Sequence, residues 1–365
     1  MSDFIQLHIL THYAPANLNR DDTGRPKTAL MGGALRLRVS SQSLKRAWRT
    51  SDLFQAAVGE HLGTRTRLLG KDVHDAMLAQ GLDAQKALEW ARQIAAAFGS
   101  LEVEKPESKK KKADGEGAQE PDLKKLLQIK EIVHVSPAER QAALQLAASC
   151  VQRGKGPEAA ELNLLSKDAT AVDVSMFGRM LASANEFNVD AAVQVAHAFT
   201  VHRAEVEDDY FSAVDDLGTD TGAGHIGDRG YGAGLFYLYV CVNRTLLQEN
   251  LQGDKALANR AMASLLEAIA KVSPTGMQNS YASRAYAAYV LAEKGAQQPR
   301  SLSQAFLRPV QGSDDRSMLT EAIESLQKQR ANFDKTYGAC SDASLGMDTD
   351  AGTGSLQALI DFIQD

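Results

Sequence analysis

At 365 residues with 44% hydrophobic side chains, the chain has enough apolar material for one large core or two smaller ones, which excludes a disordered polymer. No apolar run approaches the roughly 18 residues of a membrane span, and Cys150, Cys241 and Cys340 are too far apart for a disulfide framework or a zinc ribbon. The net charge of −6 averages regions of opposite sign: residues 1–50 hold eight basic against three acidic side chains, a surplus of five, which leaves −11 for the remainder.

The opening MSDFIQLHIL has no basic stretch ahead of its apolar residues, so a cytoplasmic, reducing location is expected. Residues 4–10 alternate as a strand does. Residues 35–39 alternate strictly, which puts Arg36 and Arg38 on one face. Residues 16–33 between them are rich in turn formers and read as a loop. Ser40 or Ser41 then caps a helix with Leu44, Ala47 and Trp48 on its apolar side and Gln42, Lys45 and Arg49 on the opposite side. From residue 50 to about 190 the periodicity is mostly helical (HDAMLAQ, QKALEWARQIAAAF, AERQAALQLAASCV), an insertion interrupted by residues 105–121. Lys109 to Lys112 followed by ADGEGAQEP has too few apolar residues to pack and reads as a mobile surface loop.

Residues 193–201 alternate again, with Val193, Val195, His197, Phe199 and Val201 on one face of one predicted strand; residues 235–242 form a second β-branched and aromatic run. Between them, residues 202–234 contain seven glycines after Phe211, too many for a core and over too long a stretch for a tight turn. A helix over 254–272, a strand over 286–293 and further helices from residues 316 and 354 complete an α+β pattern, a sheet drawn from distant segments with helices inserted and appended.

Gripping one RNA strand by its backbone needs cations for phosphates and short polar side chains for phosphate and ribose oxygens on a rigid platform. Asn19, Arg20, Lys27, Arg38, Ser40, Gln42, Lys45 and Arg49 supply that mixture. Composition alone fits a solvated helix face beside a surface loop equally well. Gly222 to Gly227 spells G-x-G-x-x-G, but a dinucleotide site needs that string after a strand and opening a helix, and here more glycines and a strand follow. The pairs Asp208–Asp209 and Asp215–Asp216 lack further metal ligands, and His8 and His12, on one strand face, have no cysteine or acidic partner at ligand spacing. No cofactor, metal or catalytic residue is expected. The competing chemistry is histidine-based RNA cleavage, for which His12 and His202 are the candidates.

The strings LNRDD (residues 18–22) and SSQSLKRAWR (residues 40–49), at their mutual spacing, resemble the CasC family, the repeated backbone subunit of type I-E CRISPR Cascade. GRM (residues 178–180) and FSAVDDL (residues 211–217) resemble further family motifs, and the length agrees; the helical insertion matches poorly. The resemblance implies a right-hand architecture with an RRM-like (ferredoxin-like) palm, inserted helical fingers and a protruding β-hairpin thumb. Residues 1–50 would be the first part of the palm, 51–190 the fingers, 191–201 a palm strand, 202–234 the thumb and 235–365 the rest of the palm with C-terminal helices. It also implies guide crRNA as ligand, head-to-tail copies of the same chain and other Cascade subunits as partners, target double-stranded DNA reached through the assembled complex, and no membrane.

In such a family the thumb displaces a guide nucleotide at regular intervals. Phe211, with Ser212 beside it, matches the wedge position, and Met180 the residue packing on displaced bases. Read without the resemblance, Phe211 and Met180 are core side chains. The family's lysine-bearing fingers helix is not matched: EAAELNLLSKDA has only Lys167, and Lys109 to Lys112, Lys124, Lys125 and Lys130 read as solvated charge.

Overall fold

The computed structural model of the protein describes residues 3–102, 122–167, 171–213, 216, 225–313 and 315–365. The lysine run 109–112 with its low-complexity neighbours, Asp215 and Gly222 to Gly224 fall outside the described residues. The strands in chain order are β1 (Phe4–Ala16), β2 (Thr28–Met31), β3 (Ala34–Val39), β4 (Thr64–Thr66), β5 (Val133–Val135), β6 (Val193–Val195), β7 (Ala198–Thr200), β8 (Glu207–Ala213), β9 (His225–Asn243), β10 (Ala287–Gly295) and β11 (Ala343–Asp348). The α+β class read from the sequence holds.

The chain divides into two compact units. The first comprises Met1–Val58, Ala192–Gln248 and Asp254–Asp365, the second Gly59–Ala191 and Glu249–Gly253. The first unit is an antiparallel sheet in the order β11-β10-β1-β9-β7-β3-β2, with β6 and β8 also paired to β9. One face buries Leu10, Leu235, Tyr237 and Leu291 against Phe306 and the helix Met318–Tyr337, through Ala322, Ile323 and Leu326. The helix Lys255–Lys271, capped by Asp254, packs on β10 and on the helices Asp52–Val58 and Leu356–Gln364. The second unit packs the helices Leu69–Ala79, Ala84–Ala96 and Pro137–Arg153 around Val73, Met77, Ile94 and Ala147, beside the ribbon β4-β5.

Two strand expectations are corrected. Residues 16–33 are not one loop: β2 pairs with β3, and the turn is Gly32-Gly33, both with positive φ (58° and 73°). Two such residues make the tight hairpin turn whose twist suits antiparallel strands. Gly32 is also irreplaceable sterically, since a Cβ there would stand 1.8 Å from the carbonyl oxygen of Leu307. Residues 193–201 are likewise two strands, because the register against β9 slips by one residue between β6 and β7. A one-residue slip exchanges faces, so His197 turns outward while Ala198 and Thr200 are buried.

The face carrying Leu10 also carries a buried polar cluster. Glu293 accepts from His8 Nε2 (3.1 Å), Arg330 Nε (2.6 Å), Ser341 Oγ (3.1 Å) and the Arg300 guanidinium. The Tyr237 hydroxyl donates to His8 Nδ1 (2.9 Å) and accepts from the N–H of Leu302 (3.1 Å). Burial lowers the pKa of His8 and keeps its ring neutral. His8 is thus a structural histidine, and among the described residues no group of three metal-ligating side chains occurs.

Candidate nucleic-acid interface

The helix α1 (Ser41–Arg49) starts where Ser40, in extended conformation, accepts from the N–H of Ser43 through its hydroxyl. Leu44, Ala47 and Trp48 are buried, so the sequence pattern turns Gln42, Lys45 and Arg49 away from the core. Basic residues in the last turn, Arg46 and Arg49, suit the negative end of the helix dipole. Lys45 is half-buried, and that burial lowers its pKa below the ordinary lysine value. An ammonium already partly stripped of water gains more from a phosphate than a fully solvated one does.

The loop, strand and helix are stitched together through the predicted residues themselves. Asn19 Oδ1 accepts from the N–H of Ser40 (2.9 Å), the Asn19 carbonyl from the N–H of Lys27 (2.7 Å), and the Lys27 carbonyl from the N–H of Arg38 (2.8 Å). Asn19, Lys27, Arg38 and Ser40 are therefore neighbours across three segments. Arg20 lies exposed on the same loop, where it bridges to Pro26. Arg38 Nη1 stands 2.7 Å from His197 Nδ1. Desolvation first, then Arg38 and Lys27, lower the pKa of His197, so its neutral ring accepts from the guanidinium.

Arg36 has a different job from Arg38. It is fully buried and donates to the carbonyls of Thr200 (3.0 Å) and Phe306 (2.8 Å), tying three segments of the sheet's edge. The strict alternation gave both arginines one face and could not show that the segment around Phe306 covers half of it.

The platform is braced from behind by residues the sequence reading did not single out. Asn17 Nδ2 donates to the carbonyls of Gly24 (3.0 Å) and Gly230 (2.9 Å). Gly276 presses on the loop so closely that a Cβ there would lie 2.2 Å from the Leu18 carbonyl oxygen. Met277 and Ala282 next to it hold left-handed backbone (φ 46° and 48°), conformations that side chains rarely adopt and that surrounding structure must enforce. The string PTGMQN contained this glycine, but nothing in a single sequence says which loop it would touch.

The long strand β9 outruns β1. Its pairing with β1 ends at Gly232, and its pairing with β8 begins at Tyr231, so residues 207–213 and 225–231 form a two-stranded arm continuous with the sheet. Arg25 holds the arm's base through Asp208 (2.8 Å). Phe211 is half-buried on the arm rather than in a core, and Ser212 is exposed opposite Ile226. Gly227 lies in a strand, not at the start of a helix, so the G-x-G-x-x-G string lacks the context of a dinucleotide site.

In the second unit, GRM has a legible construction. Gly178 takes positive φ (81°), and Arg179 is buried, paired with Glu139 at 2.8 and 2.9 Å and bonded to the carbonyls of Phe187 and Ser166. Met180 follows directly and is 83% exposed, which removes the core reading for it. Lys124, Lys125, Lys130 and Lys167 are exposed.

The histidine pair does not form a free acid and base. His202 Nδ1 donates to the carbonyl of Arg203 (2.7 Å) and Nε2 accepts from the N–H of Leu235 (3.3 Å), so both ring nitrogens are engaged with backbone. Burial lowers its pKa, and His12 is exposed.

A family model described as CT1975-like protein matches residues 5–360. The chain belongs to that family. It is thereby a CasC-like protein, in agreement with the motif resemblance. Two solved structures match it over 99% of both chains. One, described as "CRISPR RNA-guided surveillance complex, pre-nicking", is 30% identical with a TM-score of 0.83; the other, described as "CRISPR RNA-guided surveillance complex", is 26% identical with a TM-score of 0.71. None of the curated proteins matches the sequence. The strings LNRDD and SSQSLKRAWR meet in the fold, where Asn19 and Ser40 are joined by a direct hydrogen bond.

Proposed function

We propose that this chain is a non-catalytic backbone subunit of a CRISPR RNA-guided surveillance complex, of the type I-E Cascade kind. Several copies assemble head to tail on one guide crRNA, contact its sugar-phosphate backbone and present its bases for pairing with target DNA. The observation that carries the reading is the convergence of Asn19, Lys27, Arg38 and Ser40, with α1 presenting Gln42, Lys45 and Arg49 beside them. Such a platform reads backbone geometry, and base pairing supplies the sequence specificity.

In this reading residues 1–50 with the sheet form the palm, the second unit the fingers and residues 202–234 the thumb. Phe211 and Ser212 meet the displaced nucleotide, and Met180 packs on displaced bases. Heterologous contacts between identical copies generate open filaments, and the −11 outside residues 1–50 keeps the remaining surface from holding stray nucleic acid. Among the described residues no helix is long and apolar enough to cross a membrane.

Labelled repeat RNA incubated with purified protein tests the reading. Salt-sensitive binding of several copies per RNA without cleavage is expected. Specific, metal-independent cutting abolished by His12→Ala or His202→Ala would overturn it in favour of an endoribonuclease; the engagement of both His202 ring nitrogens counts against that outcome.

A further inference from the structure

The hairpin arm contains a stacked pair that the motif resemblance does not assign. Residues of β8 and β9 alternate between two faces, and the register puts Phe211 opposite Gly227 and Asp209 opposite Arg229 on one of them. The Phe211 ring lies down over Gly227: a Cβ at that glycine would stand 2.6 Å from Phe211 Cζ. Above the ring, the guanidinium carbon of Arg229 is 4.8 Å from its centroid. Asp209 shares that face, yet among the described residues no ion pair joins it to Arg229. The guanidinium has taken the ring instead of the carboxylate, an arrangement in which a cation and an aromatic face attract one another.

Arg229 also lines a second feature. It borders a cleft of about 380 Å³ together with Arg20, Arg25 and Met277, against the single carboxylate Asp228. Arg25 is committed to Asp208, whereas Arg20 and Arg229 are exposed cations from two segments of one unit facing the same space. A planar cation seated on an aromatic ring and bordering a cationic cleft matches one nucleotide of a single strand, with a π-face for the guanidinium plane and a phosphate for the cleft.

Resting on the RNA-binding reading above, we infer that Arg229 is an RNA-contacting residue of the arm: the base of a displaced nucleotide stacks on its guanidinium, and the cleft shared with Arg20 takes the adjacent phosphate. Phe211 is then the seat of the plate as much as the wedge, and Gly227 provides the room in which the ring lies flat.

Chemical probing of guide RNA in reconstituted assemblies, with binding isotherms alongside, tests this. Arg229→Ala is expected to erase the contrast between displaced and paired positions and to weaken guide binding about fivefold or more. Arg229→Lys keeps the charge but loses the plane, and does not rescue. Gly227→Ala keeps the arginine, lifts the ring and reproduces the loss of contrast. A footprint unchanged by Arg229→Ala, or full rescue by Arg229→Lys, would overturn the inference while leaving the backbone-subunit reading intact. A wild-type assembly with no regularly displaced positions would remove that reading itself, and the inference with it.

Discussion

The platform at residues 19–49 and the arm at residues 207–213 and 225–231 belong to one sheet but are built on opposite terms. The platform is cross-linked: Asn19, Lys27, Arg38 and Ser40 are joined by hydrogen bonds, Gly276 presses on Leu18, and Arg36 ties the edge from inside. The arm is two strands, with Tyr210 67% and Ile226 57% exposed on one face and the Phe211–Arg229 stack on the other. A surface that grips a backbone must hold its donors at fixed spacing. An element that reshapes a strand needs unspent apolar and planar surface to offset unstacking. Exposed apolar side chains are a liability unless something covers them, and in the proposed assembly RNA or a neighbouring copy would cover those of the arm.

The contrast breaks first if grip and shaping cannot be separated. Lys45→Ala combined with Arg49→Ala is expected to lower guide affinity about a hundredfold at low salt, uniformly across spacer sequences. The slope of log affinity against log salt should become shallower by about 1.4, because each lost phosphate contact removes about 0.7 on a single strand. Loss confined to particular spacers would contradict a backbone grip.

Next in size comes the bracing. Gly276→Ala forces a Cβ against the Leu18 carbonyl, so thermal unfolding should show a loss of about 1–3 kcal/mol, and guide binding should weaken although no RNA-contacting side chain has changed. Unaltered stability would mean that the platform is not held from behind. Asn19→Ala removes the acceptor for the Ser40 N–H at the start of α1 and should cost about 0.5–1.5 kcal/mol in the same measurement. The smallest stability effect belongs to the arm: Phe211→Ala should stay within about 0.5 kcal/mol of the wild type and leave affinity for a short RNA nearly unchanged, while altering chemical reactivity at displaced positions of a full guide. A large loss of stability there would return Phe211 to a core role.

The same contrast governs what could be read without the structure. Local patterns were legible: the Ser40 cap, the buried Leu44, Ala47 and Trp48, the helix after Asp254 and the apolar run of β9 all follow from spacing and propensity. β2 is not legible because Gly24, Arg25, Pro26 and Lys27 directly precede it, although Gly32-Gly33 carries the hairpin signal. The break between β6 and β7 was invisible because a register slip depends on the partner strand.

Site residues divide in the same way. Charge and motif strings picked out Lys45 and Arg49. They chose Arg38 and left out Arg36 but could not show that Arg36 is buried, and they passed over Arg229, whose role depends on a ring eighteen positions earlier on the paired strand. In GRM, the motif marked three residues of which one is a turn, one an internal anchor and one presented to solvent, a division that only the Glu139 pair reveals.

The central claim, that copies of this chain hold a guide by its backbone and shape it at intervals, is tested most directly by probing the guide RNA inside the purified wild-type assembly. The account predicts reactive nucleotides at a constant spacing, separated by protected segments, with the same pattern for guides of unrelated sequence. Uniform reactivity along the guide, or a pattern that moves with its sequence, would contradict it.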